Sequence, residues 1–330
     1  MTDAPTLDRA PATTAKGQPA RLVSFDGAEM RSRFPNEPFR LGHALSSHPL
    51  FTITRLAELA RTLPRDQVEM TEAAVKVETR FEDVKIIDAP ADEVVRRIES
   101  GHAWMVLKRV ERDPAYAALL REMLDDVARG AGFADCDEAG FYDLQGFIFV
   151  TSPRAVTPFH YDPEENMFVQ IRGRKAFHQY DNRDRSILSD EELEISPSKH
   201  RNLTFDPAFD TRKTSFYLEG GEGCFVPHLW PHWVETFDDL SISMAFTWKS
   251  PAADRLNTLL QANGLLRHLG LPQASPGQRP MLDTAKVAGY RAMRAVIAPL
   301  RRSEGMRRAL RGLLFGRKAN YYYGKDGEAA

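Results

Sequence analysis

The sequence predicts a mainly β chain, a small sandwich or barrel with flanking helices, and three observations predict it. Seven short β-branched and aromatic runs fall between residues 147 and 248, separated by turn signals. Before and after them, apolar residues recur at helical spacing. Composition supports a buried core, with 42% of the 330 residues hydrophobic and 10% aromatic, while 27% charged residues supply a solvated surface. That balance excludes disorder of the whole chain.

Taken in order, residues 1–21 carry Pro5, Pro11 and Pro19 among small polar residues and read as a disordered leader. Residues 22–140 are expected to form helices and strands that pack on the barrel. Within them, 50–63 places Ile53, Leu56, Leu59, Ala60 and Leu63 at helical period, with Thr52 or Thr54 available as N-cap. His43 and His48 precede that helix in a loop and are expected to have surface or packing roles. Two more helices are expected at 91–98 and 114–128. The second gathers Tyr116, Leu119, Leu120, Met123, Leu124 and Val127 on one stripe after a proline suited to a helix start. Between them, 104–110 has strand character.

The barrel core is assigned to 141–250, from strand candidates at 147–150, 167–171, 176–180, 215–218, 224–226, 232–237 and 241–248. After Pro251 the helical pattern returns, through Leu256, Leu259, Leu260, Leu265, Leu266 and Leu269, and stops at Gly270 and Pro272. A second helical stretch runs from about Thr284 to Leu314. Residues 251–318 therefore read as a C-terminal helical region and 319–330 as a tail.

Net charge is −2, so overall charge favours neither nucleic acid nor an anionic membrane. The distribution is uneven, with ten Lys or Arg against the single acid Glu304 between Lys286 and Lys318. The favoured expectation is an amphipathic helix packed on the barrel or on a second subunit, making a homodimer. The other is a patch for nucleic acid, a membrane surface or another acidic partner. Cys136 and Cys224 stand far apart and outside any CxxC pair, against a zinc ribbon or disulfide scaffold and in keeping with a cytoplasmic location. No stretch approaches the roughly 18 apolar residues of a spanning helix, so no membrane segment is expected. Neither GxSxG nor GxGxxG occurs, which disfavours a serine hydrolase or a dinucleotide enzyme.

Chemistry concentrates at His160 and Asp162, an H-x-D pair in extended sequence whose side chains share one face of a strand. His232, in the run PHLWPHWVE, is the best third ligand. Two imidazoles and one carboxylate on one face of an octahedron leave positions open, which suits Fe(II) in oxygenases, whereas structural zinc takes four protein ligands. His228 lies four residues before His232 and competes for the same role. Pro227 and Pro231 oppose one regular strand through both histidines, which leaves His228 behind the ligands or on the substrate side. His178, His200 and His268 receive no role.

The surroundings of these residues, TPFHYDPEENMFVQIRGRK, then GGEGCFVPHLWPHWVE and SISMAFTW, resemble the JmjC and cupin-like 2-oxoglutarate oxygenases, nearest in motif to the asparaginyl hydroxylase branch. The likeness covers about 147–248. It implies a double-stranded β-helix, or jelly roll, with Fe(II) held by His160, Asp162 and His232, 2-oxoglutarate as cofactor and O2 as co-substrate. It also implies that Lys175 binds the distal carboxylate of 2-oxoglutarate, that Thr157 shares that carboxylate through its hydroxyl, and that Asn166 lines the same pocket. A buried dicarboxylate needs such a fixed cation and donor. The pattern departs at Pro231, where the family often has tryptophan, and at Ala245, where the asparaginyl enzyme has a polar residue. A pocket tyrosine of that enzyme has no clear counterpart, Tyr142 and Trp104 being the candidates. Phe159, Phe168, Phe225 and Trp230 are the expected dry wall.

The implied activity is hydroxylation of a protein or peptide side chain. Its alternatives are a small-molecule hydroxylase, a zinc or manganese cupin with isomerase or hydrolase chemistry, and a non-catalytic sensor that uses the basic C-terminal helix as a contact region.

Overall fold

The computed structural model describes residues 21–195 and 201–298, with four isolated positions between 305 and 312. The expected leader, the tail, His200 and most of the basic stretch beyond 298 lie outside the described residues.

The N-terminal part contains β1 (Val23–Phe25), α1 (Gly27–Arg33), β2 (Arg40–His43), α2 (Ile53–Thr62), β3 (Val68–Glu72), α3 (Ala91–Arg96), β4 (Ala103–Lys108) and α4 (Pro114–Gly130). The central part runs through β5 (Tyr142–Thr151), β6 (Val156–Tyr161), β7 (Glu165–Arg172), β8 (Lys175–Gln179), α5 (Asp190–Ile195) and β9 (Arg201–Asn202). It closes with β10 (Thr214–Leu218), β11 (Glu222–Val226), β12 (His232–Thr236) and β13 (Ser241–Lys249), followed by α6 (Pro251–His268) and α7 (Pro280–Ile297). The helix starts follow local chemistry. Thr52 caps α2 by accepting from Arg55 N at 3.3 Å, and Asp113 caps α4 by accepting from Ala115 N at 2.9 Å, with Pro114 in the first turn.

Strands pair in two antiparallel sheets, one in the order β1-β2-β11-β7-β13-β5-β4-β3 and a smaller one in the order β10-β8-β12-β6-β9. This is the jelly roll that the resemblance implies, enlarged from the N-terminal side. β2 pairs with β11 at one edge and β4 with β5 at the other, so the 22–140 segment shares the larger sheet with the barrel core. Of these added strands, the sequence pattern marked only β4. β2 and β3 carry Arg40, Glu69 and Glu72 and are too short to show a clear two-residue period.

Alternation sorts the side chains into layers. Met167, Val169, Ile171, Ile242, Met244, Phe246 and Trp248 face out of the larger sheet and join the α2 and α4 stripes in the principal core. Phe168, Phe177, Val226, Val234 and Ala245 face into the barrel. Behind the smaller sheet, Phe159, Tyr161 and Tyr180 pack with Leu188, Leu193 and Leu260 under α5 and α6. The expected dry wall is corrected accordingly. Phe168 lines the interior, but Phe159 and Phe225 lie one residue out of phase with the inward positions and belong to the outer clusters.

α7 lies on α6 through Tyr290 Oη to Gln261 Oε1 at 3.1 Å and Lys286 Nζ to Asn263 Oδ1 at 2.8 Å. Arg291 pairs with Asp254 at 2.9 Å, so this part of the basic stretch is engaged within the chain. No helix among the described residues is long and apolar enough to cross a membrane.

Candidate metal centre

β6 and β12 run antiparallel with His160 directly opposite His232, their ring centroids 4.2 Å apart. Asp162 follows just beyond the end of β6, where its carbonyl accepts from Leu229 N at 3.1 Å. Its Oδ1 lies 3.7 Å from His160 Nε2 and its Oδ2 3.7 Å from His232 Nε2. The ligand atoms of the three residues lie within 4.8 Å of one another.

Backbone carbonyls settle the tautomers. His160 Nδ1 donates to Pro158 O at 2.7 Å and His232 Nδ1 to Trp230 O at 2.9 Å. A carbonyl can only accept, so in each neutral ring the proton sits on Nδ1 and the Nε2 lone pair faces Asp162. Orienting bonds of this kind hold metal-binding histidines in position and raise their basicity. Phe177 stacks on His232 at 5.0 Å and Phe81 meets His160 edge-on at 5.3 Å. The donor set is two nitrogens and one carboxylate, with no fourth His, Cys, Asp or Glu in the group among the described residues. It therefore fits Fe(II) with open positions rather than closed structural zinc.

A register shift in the β6–β12 ladder carries the next step. His232 pairs with His160, but Val234 pairs with Thr157, so two residues of β12 span three of β6. In a regular strand Thr157 and His160 would face opposite ways; the bulge turns Thr157 inward with Val234. Thr157 Oγ1 accepts from Trp104 Nε1 at 3.0 Å. Indole nitrogen only donates, so the Thr157 proton remains available to a ligand oxygen.

Deeper along β8, Lys175 is 3% exposed, and its Nζ donates to Ser243 Oγ at 2.7 Å. The ammonium also lies over the rings of Phe168 and Phe149, at 5.2 and 5.6 Å. It forms no ion pair with any carboxylate among the described residues, and burial pulls its pKa down to about 7. A cation placed in an apolar barrel with a hydroxyl, two ring faces and no counter-anion is built to receive an anion. A 2-oxoglutarate carboxylate fits that requirement. Asn166 faces inward opposite Thr247 on β13 and is 4% exposed.

The sequence pattern pointed to His160, Asp162 and His232, and the family resemblance to Thr157, Lys175 and Asn166; the fold gathers all six at one barrel. Both missed Ser243, whose only signal is a small polar residue at an inward position of β13. Of the two aromatic candidates, Trp104 reaches the pocket through Thr157. Tyr142 is 42% exposed on β5 and its side chain has no bond to the six pocket residues. Ala245 sits in the inner apolar cluster with Phe168. His228 turns to α6, where Nε2 meets Asn257 Oδ1 at 3.0 Å, while Asn257 Nδ2 donates to Pro163 O at 3.1 Å. Burial brings the His228 pKa down to about 4, so the ring is neutral and clamps the loop behind Asp162. His178 lies on the outer face of β8 between Ser215 and Glu235, stacked on Trp233.

A jelly roll that carries a facial metal triad at one mouth and a buried lysine below it belongs to the JmjC and cupin class of barrels. The chain is a member of the cupin-like domain family, whose model matches residues 55–254. Among curated proteins it is 30% identical over 145 residues to lysine-specific demethylase JMJ30 of Arabidopsis thaliana, which covers 40% of this chain and 32% of that protein. It is 26% identical over 160 residues to HSPB1-associated protein 1 of Rattus norvegicus, covering 46% of this chain and 33% of that protein. The chain thus spans about a third of the length of these relatives. Among solved structures it is similar to Escherichia coli ycfD, with a TM-score of 0.46 and 16% identity over 87% of this chain and 71% of that one. A structure of YcfD described as a ribosomal oxygenase in complex with cobalt and 2-oxoglutarate matches with a TM-score of 0.45 and 16% identity, over 87% and 70% of the two chains.

Proposed function

We propose that this protein is an Fe(II)- and 2-oxoglutarate-dependent oxygenase that hydroxylates a side chain of a protein or peptide. The observation that carries the oxygenase reading is Lys175, a buried lysine that shares its inner face with the metal triad and is paired with no carboxylate among the described residues. His160, Asp162 and His232 would hold the iron. Lys175 and Thr157 would hold the distal carboxylate of 2-oxoglutarate. Iron and 2-oxoglutarate together, with O2, supply an oxidant strong enough to break an unactivated C–H bond, with succinate and CO2 as by-products.

The chain's own residues set up that chemistry. The Pro158 and Trp230 carbonyls keep both imidazoles presented to the metal, and the Ser243 hydroxyl steers the Lys175 ammonium. Phe149, Phe168 and Phe177 exclude water from the charged contacts, which strengthens them. A protein substrate is favoured by the relative named as a lysine-specific demethylase and by the motif likeness to asparaginyl hydroxylases.

The test is anaerobic titration with Fe(II) and 2-oxoglutarate, following the visible charge-transfer band of the chelated cofactor. Wild type should show the band, His160→Ala should not, and Lys175→Ala should need far more 2-oxoglutarate. A folded, iron-loaded wild type without a band would refute the oxygenase reading. Substrate class is then read by mass spectrometry of lysate polypeptides for a gain of one oxygen. Turnover of a metabolite with every polypeptide unmodified would refute the protein-substrate reading.

A further inference from the structure

On the outer face of the smaller sheet, turned away from the metal centre, three polar side chains join in one hydrogen-bonded row. Cross-strand pairing sets Ser215 of β10 opposite His178 of β8, and His178 opposite Trp233 of β12. Glu235 stands two residues beyond Trp233 and shares its face. His178 is 2% exposed; its Nδ1 lies 2.7 Å from Ser215 Oγ and its Nε2 3.3 Å from Glu235 Oε1. Trp233 stacks on the imidazole at 4.1 Å and Tyr217 meets it edge-on at 6.3 Å.

The partners fix the direction of these bonds. A carboxylate only accepts, so in the neutral ring the proton sits on Nε2, facing Glu235, and the Nδ1 lone pair is left to accept the Ser215 hydroxyl proton. A hydroxyl bonded to an imidazole that a carboxylate orients is an activated nucleophile. Ser215 is also the member that reaches solvent, because β10 is an edge strand of its sheet and Ser215 is partly exposed, whereas aromatic rings cover the imidazole. Lys213, two residues before Ser215 in extended backbone, shares the outer face. Its Nζ lies 5.4 Å from the centre of the Trp233 ring and pairs with Asp210 at 3.1 Å. It supplies positive charge on the side where attack by Ser215 creates an oxyanion. Tyr217, 60% exposed and stacked beside Phe237 at 6.5 Å, offers an apolar floor next to the hydroxyl.

We propose that Ser215, His178 and Glu235 form a second catalytic site, on the opposite side of the β8–β12 pair from the metal centre, that hydrolyses a small neutral carboxylic ester. Ser215 Oγ attacks the ester carbonyl carbon while its proton passes to His178 Nδ1. The C–O bond to the alcohol breaks, and the leaving oxygen takes that proton. Water then attacks the acyl-serine, with His178 Nδ1 accepting its proton and returning it to Ser215 Oγ, so ester and water give acid and alcohol. Glu235 is a positioning residue that holds the tautomer. None of these side chains belongs to the oxygenase site, so the two activities stand or fall separately.

The test treats metal-free protein with p-nitrophenyl acetate, following p-nitrophenolate release by absorbance and the acetylated positions by peptide mass spectrometry. Ser215 should acetylate faster than any other serine, and Ser215→Ala should remove both that label and the catalysed release. His178→Gln should lower the rate about a hundredfold or more. Glu235→Gln keeps an acceptor for the Nε2 proton but not the charge that supports the imidazolium, so it should lower the maximal rate about tenfold or more at an unchanged half-saturating ester concentration. Ser215→Ala and Glu235→Gln alter partly exposed side chains and decide the matter should His178→Gln fail to fold. Acetylation of Ser215 at the pace of other serines, release unchanged in Ser215→Ala, or a Glu235→Gln variant as fast as wild type would overturn the proposal.

Discussion

On the proposed reading, in which Lys175 pairs with the distal carboxylate, 2-oxoglutarate binding should be a proton-linked event. Its pKa in the ligand-free barrel is about 7, brought down from 10.5 by burial. The form that pairs with a carboxylate is the ammonium, so ligand binding selects the protonated barrel. At pH 6 most molecules are ready. At pH 9 about 1% are, and affinity for 2-oxoglutarate should fall about a hundredfold between these values, with close to one proton taken up per ligand bound above pH 8. Among the described residues no carboxylate pairs with Lys175; its neighbours are the Ser243 hydroxyl and two phenylalanine rings, so the slope above pH 7 belongs to this group. Calorimetric titration in buffers of different ionisation enthalpy counts the protons directly. Flat affinity from pH 7 to 9 with no proton uptake would refute the reasoning.

The same group fixes a stability trend of opposite sense. The folded state binds the lysine proton less tightly than the unfolded chain, so stability should rise as pH increases from about 7 toward 10.5. The drop of about 3.5 pH units corresponds to roughly 5 kcal/mol, present as a penalty below pH 7 and relieved above 10.5. Lys175→Met should therefore raise the ligand-free melting temperature near pH 6 and flatten the alkaline rise. It should also weaken 2-oxoglutarate binding by about a hundredfold or more at pH 6.

Other expectations follow from the contacts around the site. Trp104→Phe removes the indole donor to Thr157 and should weaken 2-oxoglutarate about 2- to 10-fold, read by the same titration, with metal affinity unchanged. Asn257→Ala removes the partner of His228 Nε2 and one of the donors to Pro163 O; urea denaturation should show a loss of about 1–3 kcal/mol, and metal titration a weaker site as the Asp162 loop loosens. Leu120→Ala, in the fully packed stripe of α4, should cost about 2–5 kcal/mol in the same denaturation while leaving the visible band intact.

Much of this protein was legible in residue order because its signals are local. The H-x-D pair needs only a two-residue period to share a face, α4 needs only its stripe and Pro114, and seven of the nine strands β5–β13 announce themselves by β-branched and aromatic runs, β6 and β9 being the two that do not. Lys175 and Asn166 are suggested by the family resemblance rather than by any local period. Other features depend on contacts between distant segments, which no local period encodes. Thr157 stands three residues before His160, a spacing that sends the two side chains apart until the bulge against β12 turns one back. Which phenylalanines line the barrel hangs on the phase of each strand, and this set Phe168 inside while Phe159 and Phe225 went outside. Ser243 and Asn257 acquire their contacts from partners 68 and 29 residues away, brought close only when the sheets close and α6 docks.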